Sequence, residues 1–138
     1  MNDCVFCQIV NWETPSQRVY EDGHYIAFLD INPVNFGHTL IISREHYENI
    51  EATPEDALLE MMKIGKKLGP AIAKAVGADG YNITINNGVA AGQAVFHIHI
   101  HIIPRFVNDG FAAWHGRSRY AEGEMGKMAG KIKAELIG

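Results

Sequence analysis

Residues 97–103 read His-Ile-His-Ile-His-Ile-Ile, and this alternation limits the chain more than any other feature. Side chains in a strand point to opposite faces in turn. His97, His99 and His101 therefore share one face, and Ile98, Ile100 and Ile102 the other. The isoleucine face belongs in a core. The histidine face needs polar work, because each imidazole carries a donor and an acceptor that burial would leave unmet. Neighbouring histidines on that face stand roughly 7 Å apart at ~3.3 Å per residue. Two uses fit such a row. One is chemistry on a bound substrate. The other is a metal centre held by the three imidazoles, since H-x-H on a strand suits zinc.

Composition narrows the field. With 138 residues, 47% hydrophobic and 20% charged, the chain has the balance of one folded domain spanning 1–138, with a core over 4–105 and a tail and helix over 106–138. Its 12 basic and 16 acidic residues give a formal charge of −4 without a basic run, which argues against nucleic-acid binding. No apolar stretch approaches the ~18 residues of a membrane span. The start, Met1-Asn2-Asp3-Cys4, lacks a basic segment followed by an apolar one, so no signal peptide is expected. Two cysteines without a secretory mark point to a reducing, cytoplasmic setting rather than a disulfide framework.

Local patterns predict a short helix over Val5–Val10 and strands over Arg18–Glu21 and Tyr25–Leu29, joined through Asp22-Gly23. A strand over His38–Ser43 follows. A long helix begins at Thr53-Pro54-Glu55-Asp56, with Thr53 as cap and proline at the first helical position. Leu58, Met61, Met62 and Leu68 form its apolar face, Pro70 should kink or split it, and Gly77 and Gly80 end it. Strands are expected over Tyr81–Asn86 and Phe96–Ile103, the latter stopped by Pro104, and a helix over Ser118–Ile137. Strands in meander order with inserted helices predict an α+β domain on a mainly antiparallel sheet.

The run His97-Ile98-His99-Ile100-His101-Ile102-Ile103 resembles the signature of the histidine triad (HIT) family of nucleotide hydrolases and transferases. Phe28-Leu29-Asp30-Ile31 followed by Gly37-His38-Thr39-Leu40-Ile41-Ile42 is similar to the family's nucleoside segment and next strand. Asn86 and Ala91-Gly92-Gln93 resemble its phosphate loop, and Gly92-Gln93-Ala94-Val95-Phe96 enters the triad at the family's spacing. The resemblance implies a HIT-like fold and a nucleotidyl hydrolase or transferase. Its substrates would be nucleoside phosphoramidates, aminoacyl adenylates or dinucleoside polyphosphates. It assigns His99 to attack the α-phosphorus and His101 to donate to phosphate oxygens or the leaving group. It gives Asp30 the ribose hydroxyls. It favours a purine base and a homodimer built through the long helix and an edge strand; Met61 and Met62 exceed what one helix face needs.

The chemistry of these residues agrees. A neutral imidazole is a nucleophile, and a nucleotidyl-histidine splits one hard displacement into two easier ones. Backbone N–H groups near Gly92, Gln93 and Ala94 can form an anion-binding concavity, with Asn86 as a further amide donor. No Gly-Lys-Ser/Thr follows this loop, so Mg²⁺ is not demanded. Phe6, Ile9, Phe28 and Ile31 are candidates for an apolar slot around the base, ordinary core being the competing use. Thr14 stands where relatives tend to carry an apolar residue. Ala94 stands where the phosphoramidase branch carries a hydroxyl, and alanine cannot pass a side-chain proton to a leaving amine. Cys4-Val5-Phe6-Cys7 is a C-x-x-C pair, which needs two more ligands to hold structural zinc. The resemblance, to a zinc-containing bacterial-type branch, supplies His46 and His97 and so implies Zn²⁺ on Cys4, Cys7, His46 and His97. His38 is expected to orient the triad, and Trp114 to fold toward the site or across a dimer interface. Two other functions remain open on the residues: a metal-dependent hydrolase using the three triad histidines as ligands, and a nucleotide-binding interaction protein with incidental turnover.

Overall fold

The computed structural model describes residues 3–111 and 118–136. The chain runs α1 (Val5–Val10), β1 (Arg18–Glu21), β2 (Tyr25–Leu29), β3 (Thr39–Ser43), α2 (Glu55–Val76), β4 (Gly80–Thr84), β5 (His99–Arg105) and α3 (Glu124–Leu136), with a short 3₁₀ turn at Val89–Ala91. The five strands form one antiparallel sheet in the order β1-β2-β3-β5-β4. The α+β class is as expected. The order is not a pure meander, however, because β5 inserts between β3 and β4. This puts the histidine strand at the sheet's interior, paired on both sides.

Each early element has a local cause. The Cys7 amide donates to Cys4 Sγ at 3.4 Å and caps α1, whose Phe6 and Ile9 share its buried side. The β1–β2 turn is held by Asp22 Oδ1, which accepts from the His24 and Tyr25 amides at 2.8 Å each. β3 is buried along its whole length and separates two apolar clusters. On one face Ile41 joins Met61, Ile64 and Ile72 of α2 with Ile98, Ile100 and Ile102. On the other, Leu40 and Ile42 join Phe6, Ile9, Ile26 and Phe28. The isoleucines of the triad run thus pack on α2, and its histidines turn toward α1.

Several boundaries differ from expectation, each for a physical reason. β5 begins at His99 rather than Phe96, because the Ile98 amide leaves the ladder to donate to Tyr47 O at 2.6 Å. It continues through Pro104 to Arg105. Pro104 is tolerated there because β3 pairs only with His99–Ile102, which leaves β4 as its sole strand neighbour. The strand expected over Tyr81–Asn86 shifts to Gly80–Thr84, whose last pairing is with His101. Thr53 does not cap α2. Its hydroxyl donates to Asn49 O at 2.7 Å, and Pro54 takes the cap position without a side-chain bond. α2 runs unbroken through Pro70, which sits on the solvent side. Gly77, at φ 69°, ends it in the left-handed region. α3 starts six residues after the expected Ser118. Its expected last residue Ile137 lies outside the described residues, as do Trp114 and His115.

Candidate active site

The histidine face of β5 looks into a cavity of about 390 Å³ between the sheet and α1. Phe6, Ile9, Phe28, Asp30, Ile31, Gly92, Ala94, His99 and His101 all line it. These come from α1, the end of β2, the loop before β5, and β5 itself. The structure brings them together from positions nearly a hundred residues apart. Phe6, Ile9 and Phe28 are buried, whereas Ile31 stands 88% exposed at the rim. Leu29, Leu40 and Val95, which lie within the quoted motif segments without an assigned role, also line the cavity, as do Asn32, Pro15 and Ser16. No motif marks the last three, which only the fold brings to the cavity.

Two expected phosphate-loop residues do not line it. Gln93 is buried and turned inward. Its Oε1 accepts from the Gly88 amide at 2.9 Å, and its Nε2 donates to Glu48 O at 2.8 Å and Val95 O at 3.1 Å. Its own amide donates to Gly88 O, and that of Gly92 to Val89 O, both at 3.0 Å. These groups shape the loop and are not spare donors for an anion. Asn86 packs behind Gly92, with Nδ2 3.4 Å from where a Cβ on that glycine would sit.

Hydrogen bonds settle which nitrogen of each neutral imidazole carries the proton. His99 Nδ1 donates to His97 O at 2.7 Å, so Nε2 is its lone-pair nitrogen. The Val34 amide donates to His38 Nδ1 at 3.1 Å, so the His38 proton sits on Nε2. That nitrogen faces His101 Nδ1 at 2.9 Å. His101 therefore accepts on Nδ1 and carries its own N–H on Nε2. One ring presents a nucleophile and its neighbour a donor, with ring centroids 4.8 Å apart. The Phe6 ring meets His99 edge-on at 5.0 Å and holds its plane. Burial lowers the pKa of His99 and pushes that of His101 down to about 4, while the Asp30 carboxylate opposes both shifts. Burial likewise lowers His38, again against Asp30. The imidazoles are thus held neutral. Asp30 serves two ends at once: Oδ1 accepts from the Asn32 amide at 2.8 Å, and Oδ2 lies 3.6 Å from His38 Nε2.

His97 leaves this group. Its Nε2 donates to Ser43 O at 2.7 Å, which frees the Nδ1 lone pair to face Cys4 and Cys7, each 3.5 Å away. His46 Nδ1 lies 3.3 Å from Cys7 Sγ and 3.2 Å from His97 Nδ1. A tetrahedral ion with bonds of ~2.3 Å to sulfur and ~2.0 Å to nitrogen sets its ligands about 3.3 Å (N to N) and about 3.5 Å (N to S) apart. These four contacts match those spacings, all four ligand atoms lie within 4.8 Å of one another, and the group could hold a zinc ion. The three triad histidines do not converge in this way. Among the described residues the groups able to hold an ion are Cys4, Cys7, His46, His97 and, separately, Asp30, His38, His101. The three-histidine metal centre therefore lacks its geometry.

Comparison with known proteins follows the same residues. The HIT domain matches residues 11–108, well over half of the chain. This chain belongs to the HIT family. A family member from Arabidopsis thaliana, the adenylylsulfatase HINT3, is 47% identical over 108 residues, covering 78% of this chain and 55% of that protein. The HIT fold is shared with the crystal structure of SMU.412c from Streptococcus mutans, at 40% identity and a TM-score of 0.91 over 99% of this chain and 87% of that one. A Zn-bound histidine triad family protein from Mycobacterium smegmatis aligns with a TM-score of 0.76 at 38% identity, covering 97% and 95% of the two chains.

Proposed function

We propose that this protein is a nucleotidyl hydrolase or transferase that works through a covalent nucleotidyl-His99. The observation that carries the reading is the proton placement on neighbouring rings, a lone pair on His99 Nε2 beside an N–H on His101 Nε2. His99 Nε2 forms a bond to the α-phosphorus while the bond to the leaving group breaks and its electron pair departs with that group. Water then attacks the phosphorus. The P–N pair returns to His99, one water proton stays on the new phosphate hydroxyl and the other passes to solvent, and the products are a nucleoside monophosphate and the leaving group as its anion. His101 donates to the phosphate oxygens where charge accumulates. Asp30 takes the ribose hydroxyls, and Phe6, Ile9, Phe28 and Ile31 flank a purine base. Gly92 and Ala94 border the phosphates, and Asn86 and Gln93 hold their loop in shape.

Substrates are nucleoside phosphoramidates, aminoacyl adenylates or dinucleoside polyphosphates. The name of the Arabidopsis relative, an adenylylsulfatase, supports an adenylyl bond as the one that reacts. Ala94 brings no hydroxyl to the wall beside His99, which favours leaving groups that depart as stable anions over amines. Cys4, Cys7, His46 and His97 hold a structural Zn²⁺, whose chemistry is that of a closed crosslink rather than a reactive centre. The Zn-bound mycobacterial relative supports this assignment. A homodimer would use the open edge of β4 and the solvent face of α2, where Leu59 and Met62 are exposed.

The test is His99→Ala. Turnover should fall by at least ~10³-fold, as expected when a covalent nucleophile is lost, while nucleotide binding persists. A variant that kept the parent rate would overturn the mechanism.

A further inference from the structure

Asp30 and His38 differ in who can reach them. The Asp30 side chain is 20% exposed at the cavity, whereas His38 is 4% exposed beneath it. A ligand touches the first and not the second. The His38 ring is locked from one side by the Val34 amide on Nδ1. From the other side its single proton, on Nε2, has two acceptors nearby. His101 Nδ1 stands at 2.9 Å and Asp30 Oδ2 at 3.6 Å. The imidazole nitrogen is the closer, but the carboxylate carries a full charge in a mostly buried place, where charge acts over such a distance. Its other oxygen is occupied by the Asn32 amide at 2.8 Å, so Oδ2 faces His38 and any arriving hydroxyl alike.

We propose that the ribose hydroxyls of the substrate act on the chemical step, by engaging Asp30 and so strengthening the bond that the His38 N–H makes to His101. Without a diol, the Asp30 charge at 3.6 Å pulls on the His38 proton and weakens its bond to His101. With a diol donating to Oδ2, the carboxylate is satisfied and its pull on His38 falls. His38 then bonds His101 alone and holds the His101 Nε2–H aimed at the phosphate oxygens. His38 is a positioning residue in this scheme and touches no substrate. Sugar recognition is spent on the transition state rather than on ground-state binding alone. The proposal rests on the nucleotidyl-His99 reading above.

The experiment compares adenylyl sulfate with its 2′,3′-dideoxy analogue under single-turnover, saturating conditions. Quenched samples are read by intact-protein mass spectrometry for the nucleotidyl adduct. In the parent protein the dideoxy substrate should form adduct about tenfold more slowly at saturation, beyond any change in the concentration needed to saturate. In His38→Ala both rates fall and become equal, and His38→Gln, whose amide can donate to His101, recovers part of the loss. Asp30→Asn offers a second arm at a more exposed position: with the charge gone, the two substrates should again react at one rate. Equal saturated rates in the parent protein, or a hydroxyl effect that survives in His38→Ala or Asp30→Asn, would overturn the coupling while leaving the covalent mechanism intact. Absence of any adduct from either substrate would overturn the covalent mechanism itself, and the coupling with it.

Discussion

At the residue scale, the site is an exercise in assigning single protons. Each imidazole of the triad has one nitrogen tied to a partner that can only accept or only donate, so its other nitrogen has a defined character. His97 and His99 give their protons to backbone carbonyls, and His101 receives one from His38. Burial keeps His101 neutral down to about pH 4. This has a consequence for stability. Between the ordinary histidine value of ~6.5 and about 4, the unfolded chain binds a proton at position 101 that the folded chain refuses. Stability should therefore drop as pH falls through that window, and level off below it on this account. Thermal melts from pH 7 to pH 4 should show the loss, and His101→Gln should flatten the slope by one proton. An unchanged slope would contradict the assignment. The three histidines were legible as a row in the sequence because the strand period is two. Their separate duties were not, because carbonyl partners leave no mark in the residue pattern.

At the element scale, the long helix and β4 depend on how closely they approach. Gly69 of α2 faces the ring of Tyr81 on β4, and a Cβ there would lie 2.5 Å from the Tyr81 ring. Glycine at that point is a contact requirement and not a helix preference, since in the helix interior it costs up to about 1 kcal/mol against alanine. Gly69→Ala should lower stability by about 1–3 kcal/mol despite the gain in helix propensity, as overpacking does. Denaturant unfolding would measure it, and a stabilised variant would show that the ring simply swings aside. Pro70, the next residue, does not split α2. Proline removes one helical hydrogen bond, but on the solvent side water can serve the orphaned carbonyl, and packing of Met61, Ile64 and Ile72 carries the helix through.

At the scale of the whole molecule, one cluster ties distant parts together. Cys4 and Cys7 belong to the N-terminal turn, His46 to the loop after β3, and His97 to the approach to β5. An ion held there would pin α1, and with it Phe6, over the His99 ring. Stripping zinc with a strong chelator should lower the melting temperature by about 10 °C or more, given the free energy that structural zinc contributes to small domains. Metal analysis should find one zinc per chain, lost in Cys7→Ser. Residual turnover in the stripped protein well below its melting temperature would agree with a structural role. Its complete loss there, with the fold intact, would point to a catalytic ion. Where the chain crosses a membrane or not is a simpler matter for its helices: none among the described residues is long and apolar enough to do so.

The residue pattern by itself determined the elements whose period is local. Alternation marked the histidine strand and its two faces, turn chemistry marked the first hairpin, and the spacing of apolar residues marked α2. It also named the four metal-ligand candidates and the candidate nucleophile, through motif resemblance. Only the tertiary structure decided that β5 lies between β3 and β4, that Gln93 turns inward, and that Asp30 meets His38. Those outcomes rest on pairings between residues far apart in the chain, and on backbone amides and carbonyls whose bonding depends on fold rather than on side-chain identity.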